Sequence, residues 1–110
     1  MNLERFGKLY DMLMTLPEDA PFDMGTFGTP ECGTPACAMG WYARLFPEDG
    51  LRLSILTTIH NGYGHESYDA IAYCFGISDI HAAMLFDTRW LGQSPKQVAA
   101  RVKAFVESHT

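Results

Sequence analysis

Hydrophobic positions recur at helical spacing near both ends of the chain. Across residues 3–16, apolar and aromatic side chains repeat every three or four positions, while charged side chains occupy the opposite side. This pattern predicts an amphipathic first helix. Residues 94–97 read Ser-Pro-Lys-Gln, which is a capping box with proline at the first helical position. The apolar positions that follow predict a final amphipathic helix.

A stretch in the middle of the chain is apolar on nearly every side. We expect a helix over residues 35–46, because Thr34 is a favourable N-cap, Pro35 suits the first helical position and Pro47 marks the end. Arg44 is the only charged residue within it. A helix with so little polar surface belongs inside the protein, so the other segments should pack around it.

The segment before this central helix is rich in glycine and proline. Residues 17–30 therefore predict an irregular loop. Phe22, Met24 and Phe27 interrupt the polar residues and are expected to anchor the segment beneath the central helix, as in a packed Ω-type loop. Gly40 is then expected to face a closely approaching loop or helix that a side chain would displace.

One segment has the two-residue period of a β-strand. Residues 51–55 alternate between apolar and polar side chains, which predicts a short strand or hairpin near 51–56. A strand needs a partner for its backbone groups, and residues 22–28 and 57–63 are the two candidates. Residues 60–66 predict a second loop.

Residues 67–86 predict two short helices joined by a tight turn. Ser67 is expected to cap the first helix, Gly76 to close it in the left-handed conformation, and Ser78 to cap the second helix. The apolar and glycine positions match the template of a helix-turn-helix. The segment is therefore either a DNA-binding motif or a plain helical hairpin in the core.

The side chains of the second helix favour the plain hairpin. A helix that reads the major groove needs Arg, Lys, Asn or Gln to contact bases and phosphates. Here Asp79, His81 and Met84 occupy the second helix of an acidic protein. DNA binding stays the alternative, and nucleic acid is the less favoured partner.

Together these elements predict a mainly α fold. We expect one domain over residues 1–110, with about five helices around the central helix 35–46. Hydrophobic residues make up 47% of the chain and aromatic residues make up 13% of it. This composition argues against disorder. Residues 87–93 are expected to be irregular, with Trp90 and Leu91 as anchors.

Net charge and hydropathy limit the classes of partner that this chain is expected to bind. Eight Lys and Arg against thirteen Asp and Glu give a net charge of −5, which disfavours nonspecific attraction to nucleic acid or to an anionic membrane. The chain shows neither an apolar run of membrane-spanning length nor a basic-then-apolar signal peptide. We therefore expect a cytoplasmic protein with a protein partner.

The cysteines allow three interpretations. Cys32, Cys37 and Cys74 are odd in number, and without an export signal they are expected to stay reduced. They could be small buried side chains, or Cys37 could be a reactive thiolate near a helix start. A zinc site would need a fourth ligand. The candidates for it are His60, His65 and His81.

A set of short motifs runs through most of the chain. Its members are Phe22-Asp23-Met24, Cys32-Gly33-Thr34-x-Ala36-Cys37-x-x-Gly40-Trp41, Phe75-Gly76-Ile77-Ser78, Leu85-Phe86 and a Ser94-Pro95 helix with Val98, Ala99 and Arg101. The set resembles small uncharacterised proteins of bacteria and their phages. The resemblance implies a mobile-element or accessory gene and supplies no catalytic residues.

We therefore expect a small non-enzymatic protein that binds another macromolecule, such as an inhibitor of a host system. No catalytic, cofactor-binding or metal-binding residue is assigned. The alternatives are a helix-turn-helix DNA-binding protein that uses residues 67–86 and a cysteine-dependent metal or redox protein.

Overall fold

The computed structural model describes residues 1–31 and 33–110. Within these ranges the helices are α1 (Leu3–Thr15), α2 (Ala38–Leu45), α3 (Ser67–Phe75), α4 (Asp79–Phe86) and α5 (Pro95–Ser108), and the strands are β1 (Arg52–Leu53) and β2 (Ile59–His60). Two single 3₁₀ turns lie at Pro47–Asp49 and Thr88–Trp90. The expected mainly α fold, with about five helices, is confirmed.

Helix α2 lies in the core, as its composition predicts. Trp41 and Tyr42 are buried, and so is Cys37 just before the helix. Met24 of the preceding loop is buried, and Phe22 and Phe27 pack against the same core. The expected packing of this loop beneath the central helix is therefore confirmed, because all three apolar anchors reach the core.

The start of the central helix differs from the predicted one. Cys37, not Thr34, is the N-cap of α2, and it has extended backbone angles and no side-chain capping bond. The prediction that Pro35 opens the helix was wrong, because Ala36 instead forms a parallel β-bridge with Phe22. This pairing with a distant segment outweighs a capping signal that is purely local.

The predicted strand finds one of its two predicted partners. β1 pairs with β2 in an antiparallel hairpin, with Leu53 opposite Ile59, which confirms the choice of residues 57–63. β2 continues into a bridge between His60 and Glu66. This bridge holds Glu66 extended, so that Glu66 is the N-cap of α3 and Ser67 is its first residue, at φ 55°. The prediction that Ser67 caps this helix was wrong.

The first and last helices pack together and close the core. Phe6 of α1 has its ring centroid 4.8 Å from that of Phe75 in α3 and 6.0 Å from that of Phe105 in α5. The predicted capping box of α5 is present, since Ser94 and Gln97 each accept a backbone N–H from the other. The two strongest amphipathic patterns of the sequence therefore lie where they were expected.

One predicted anchor lies outside the core. Trp90 packs against the core, whereas the side chain of Leu91 is 66% exposed. Leu91 is the residue that follows the 3₁₀ turn Thr88–Trp90, and its backbone leaves the turn at φ −52° and ψ 133°, so its side chain does not follow that of Trp90 inward. The expectation for Leu91 was therefore wrong.

Candidate binding surface

Helices α3 and α4 form a tight corner. Their axes bend by 105° at the turn between them, within the range of helix-turn-helix motifs. Gly76 closes α3 in the left-handed conformation, at φ 67° and ψ 38°. Ser78 caps α4 by accepting the backbone N–H of His81 at 3.1 Å. The predicted roles of Gly76 and Ser78 are both confirmed.

Helix α4 is apolar on its outer face as well as on its inner face. Leu85 and Phe86 are buried, but Ile80 and Met84 are 68% and 51% exposed. Residues four apart lie on the same face of a helix, one turn from each other, so Ile80 and Met84 form one surface. We call these two side chains the outer face of α4. An all-round apolar helix is normally buried, and this one is covered on one side only.

The C-terminal end of α4 is held by side chains from the following segments. Arg101 of α5 donates from Nη2 to the Leu85 carbonyl oxygen at 2.8 Å and also binds Gln93. The Trp90 indole donates to the Met84 carbonyl oxygen at 2.8 Å, and the Arg101 guanidinium lies 4.0 Å from the Trp90 ring centroid. Burial lowers the pKa of Arg101 to about 10, so it stays charged at neutral pH, where a cation suits this end of the helix.

The corner lacks the side chains that read DNA. None of the eight residues of α4 is Lys, Arg, Asn or Gln, and those are the donors that contact bases and phosphates. Asp79 opens the helix, and Arg89 beyond its end is engaged by Asp87, with its Nη2 3.4 Å from the carboxylate. A phosphate backbone would meet a carboxylate at one end of α4 and a paired cation at the other.

The two described cysteines are buried in different surroundings. Burial raises the pKa of Cys37 to about 11, against the lowering effect of backbone hydrogen bonds. Burial also raises the pKa of Cys74, although Nη1 of Arg5 lies 3.5 Å from its sulfur. Both thiols are therefore protonated at neutral pH, which opposes a reactive thiolate at Cys37. Cys32 lies outside the described residues.

The described residues that were considered for a metal site are not brought together. Over residues 1–31 and 33–110, no three His, Cys, Asp or Glu side chains form a group that could hold a metal ion. His65 stacks on Tyr73 with ring centroids 4.9 Å apart and binds Asn61 through Nδ1 at 3.0 Å. His81 lies near the C-terminal end of α5 instead.

A cluster of charged side chains surrounds Asp49. Its carboxylate lies 2.8 Å from Lys8 Nζ and 3.6 Å from Arg5 Nε, and it accepts a hydrogen bond from the Tyr42 hydroxyl at 2.5 Å. Burial alone would raise the pKa of Asp49, but the bonds from Lys8 and Tyr42 and the nearby cations hold it below its ordinary value of 3.8. Burial and the bond to Asp49 raise the pKa of Tyr42. The cluster ties the 3₁₀ turn to α1 and α2, which is a structural role.

Other exposed apolar side chains lie at the tip of the hairpin. Ile55 and Leu56 are 83% and 77% exposed. They belong to a five-residue turn in which the Ser54 hydroxyl accepts two backbone N–H groups, and Thr57 takes the left-handed conformation, at φ 61°. This tip provides apolar residues of the same type as the outer face of α4, on a turn rather than on a helix.

Sequence reasoning did not identify Ile80 and Met84 as surface residues. The sequence signal for an exposed apolar face was present, since residues 79–86 are apolar at almost every position. When only one side of such a helix is packed, apolar residues stay exposed on the other side. The role of Arg101 in holding α4 was also missed. It depends on a contact between residues 16 positions apart.

Two further findings concern the chain as a whole. In the part that the structure describes, no single helix is long and apolar enough to cross a membrane, and Ser67–Phe75 with Asp79–Trp90 satisfies the length and composition test only as a pair bent by 105°. No family model, no curated protein and no solved structure matches this chain.

Proposed function

We propose that this protein is a small non-enzymatic binding protein that docks another protein onto the outer face of α4. The observation that supports the proposal is the exposure of Ile80 and Met84 on a helix that is fixed at both ends. A fixed helix offers these side chains to a partner without the entropic cost of ordering the backbone on binding.

The free energy gained by burying Ile80 and Met84 against a partner is large enough for them to act as binding anchors. Full burial of a fully exposed Ile or Met side chain contributes about 1.5–3 kcal/mol. Ile80 and Met84 are already partly covered, at 68% and 51% exposure, so burying what remains contributes about 2–3.5 kcal/mol in total before the costs of association. Asp79 and Arg89 lie beyond the two ends of the apolar pair. Charged residues at the rim add partner selectivity and faster association more than they add affinity.

DNA binding is the second candidate, because the 105° corner has the shape of a helix-turn-helix. A gel-shift titration at low and moderate salt distinguishes it. A DNA-binding protein would form a complex that weakens steeply as salt rises, since binding releases condensed counterions. For the protein-docking proposal we expect no shift at either salt concentration.

The wider role within the proposal is that of an accessory factor or inhibitor carried by a mobile element. Support for it is limited to the resemblance of the Cys-Gly-Thr motif region and to the small size and acidity of the chain. The docking proposal does not depend on this role.

Affinity capture from the source cell tests the docking proposal when paired variants are used. The double variant Ile80→Asp/Met84→Asp places two charges on the outer face, and Ile55→Asp/Leu56→Asp makes the same change at the hairpin tip. We expect a protein that the wild type and the hairpin variant retain and that the α4 variant loses. Equal recovery by both variants, with unchanged circular dichroism, would contradict the proposal.

A further inference from the structure

Two histidines from different helices lie against each other at the C-terminal end of α5. His81 is the third residue of α4, and His109 is the C-cap of α5. Their ring centroids are 5.0 Å apart at an interplanar angle of 69°. The Phe105 ring stacks on His109 at 4.2 Å and meets the edge of His81 at 5.2 Å, so one aromatic residue supports both imidazoles.

Hydrogen bonding determines which nitrogen of His109 is available. Its Nδ1 lies 2.8 Å from the Phe105 carbonyl oxygen and 3.0 Å from the Ser108 hydroxyl oxygen. A carbonyl oxygen only accepts, so Nδ1 carries the proton and donates, and the neutral ring holds its lone pair on Nε2. A donated bond from one ring nitrogen to a backbone carbonyl is the usual outer-shell arrangement of a metal-binding histidine. His109 is therefore prepared to bind a metal through Nε2.

We propose that His81 and His109 form a two-histidine site for a late first-row divalent cation, with Zn²⁺ as the ion we would test. Imidazole nitrogens suit Zn²⁺, at a distance of about 2.0–2.1 Å. The centre of an imidazole ring lies about 1.2 Å beyond the ligating nitrogen. Two imidazoles that bind one ion at a tetrahedral angle therefore have ring centroids about 5.2 Å apart. The observed 5.0 Å is compatible with that separation and is also an ordinary distance for packed rings. Water completes the coordination, because the site has two protein ligands.

Within the part of the chain that the structure describes, neither of the other two histidines is in ring contact with another histidine. Asn61 Oδ1 accepts the backbone N–H groups of Tyr63 and His65, so its amide nitrogen points at Nδ1 of His65 and donates to it at 3.0 Å. The Nδ1 lone pair of His65 is already engaged within the loop. His60 lies in β2, with its Nδ1 3.5 Å from the Asn61 carbonyl oxygen. It serves as the matched control, because it has a similar backbone bond without a second imidazole.

The position of the site gives it a structural consequence. An ion held by both rings would join the first turn of α4 to the last turn of α5, one residue from Ile80 of the outer face. Binding of a ligand to the folded state alone raises stability, so Zn²⁺ should raise the melting temperature in step with its occupancy of the site.

Nitrogen-15 NMR of the imidazole rings, recorded on tag-free protein titrated with ZnCl₂, tests the proposal. We expect the His81 and His109 signals to change together and to reach an end point at one Zn²⁺ per chain, with Nε2 of His109 as a ligand. The His60 and His65 signals should stay in place. Because the readout is specific to each residue, zinc bound by a thiol elsewhere does not affect it.

Variants decide whether the two rings share one ion. His109→Ala and His109→Gln should each weaken the zinc response of His81 by roughly tenfold or more, whereas His60→Ala should leave it unchanged. Two different substitutions at the exposed His109 are used so that the test stays valid if one of the variant proteins does not fold. No response in excess Zn²⁺, or an unaltered His81 response in a folded His109 variant, would overturn the proposal.

Discussion

Replacement of Gly40 by Ala should destabilise the protein, although the same change usually stabilises a helix. A Cβ at position 40 would lie 2.8 Å from the Ala36 Cβ and 2.9 Å from the carbonyl carbon of Phe27, and still closer to the Phe27 oxygen. The obstacle is largely backbone, so it cannot rotate away. We expect an overpacking cost near the upper end of about 1–3 kcal/mol, offset by about 1 kcal/mol of helix propensity, for a net loss of about 2 kcal/mol.

Gly7→Ala is the matched control for this prediction. Gly7 lies inside α1, and a Cβ built there meets nothing within 4 Å, so this change should stabilise by up to about 1 kcal/mol. Urea unfolding, followed by far-ultraviolet circular dichroism, measures both variants against the wild type. A Gly40→Ala midpoint at or above that of the wild type, with an unchanged slope, would show that the loop does not press on the central helix as described.

Three further predictions concern the core and its charges. The low pKa of Asp49 means that its ionised form is favoured in the folded state, so its contribution is complete above about pH 5 and is lost as the pH falls through the folded value. Acid unfolding of Asp49→Asn should therefore show a smaller loss of stability between about pH 5 and about pH 2 than that of the wild type. Cys37→Ala should cost about 1 kcal/mol in urea unfolding, and Cys37 should react with a thiol reagent only as the protein unfolds. Arg101→Ala should cost about 1–3 kcal/mol, because it leaves the Leu85 carbonyl oxygen at the end of α4 without its donor. Lys103→Ala on the exposed side of α5 should change stability by less than about 0.5 kcal/mol.

The features that could be predicted from the sequence are those with local causes. Ser78 and Ser94 each cap a helix through a backbone N–H three residues away, and Gly76 closes α3 through its own backbone angles. Such signals lie within one turn of the chain and need no knowledge of the rest of the fold. The start of α2 depends instead on Ala36 and Phe22, which pair across 14 positions, and no local pattern predicts that bridge.

The candidate surface was harder to predict for a related reason. Periodicity identifies a buried face by contrast with a polar one, and residues 79–86 offer little contrast. Which of Ile80 and Leu85 is covered depends on where α5 and the loop around Trp90 lie. The same holds for His81 and His109, which are 28 positions apart and meet only once α4 and α5 have packed.

Photo-crosslinking at the outer face of α4 tests the central claim most directly. A photoreactive phenylalanine derivative replaces Ile80 in one variant and Ala100, an exposed residue of α5, in another, and both are irradiated in the source cell. The account predicts one protein partner joined to the chain through position 80 and not through position 100. The claim is contradicted if position 80 yields no protein adduct, or if the same protein is joined equally through both positions.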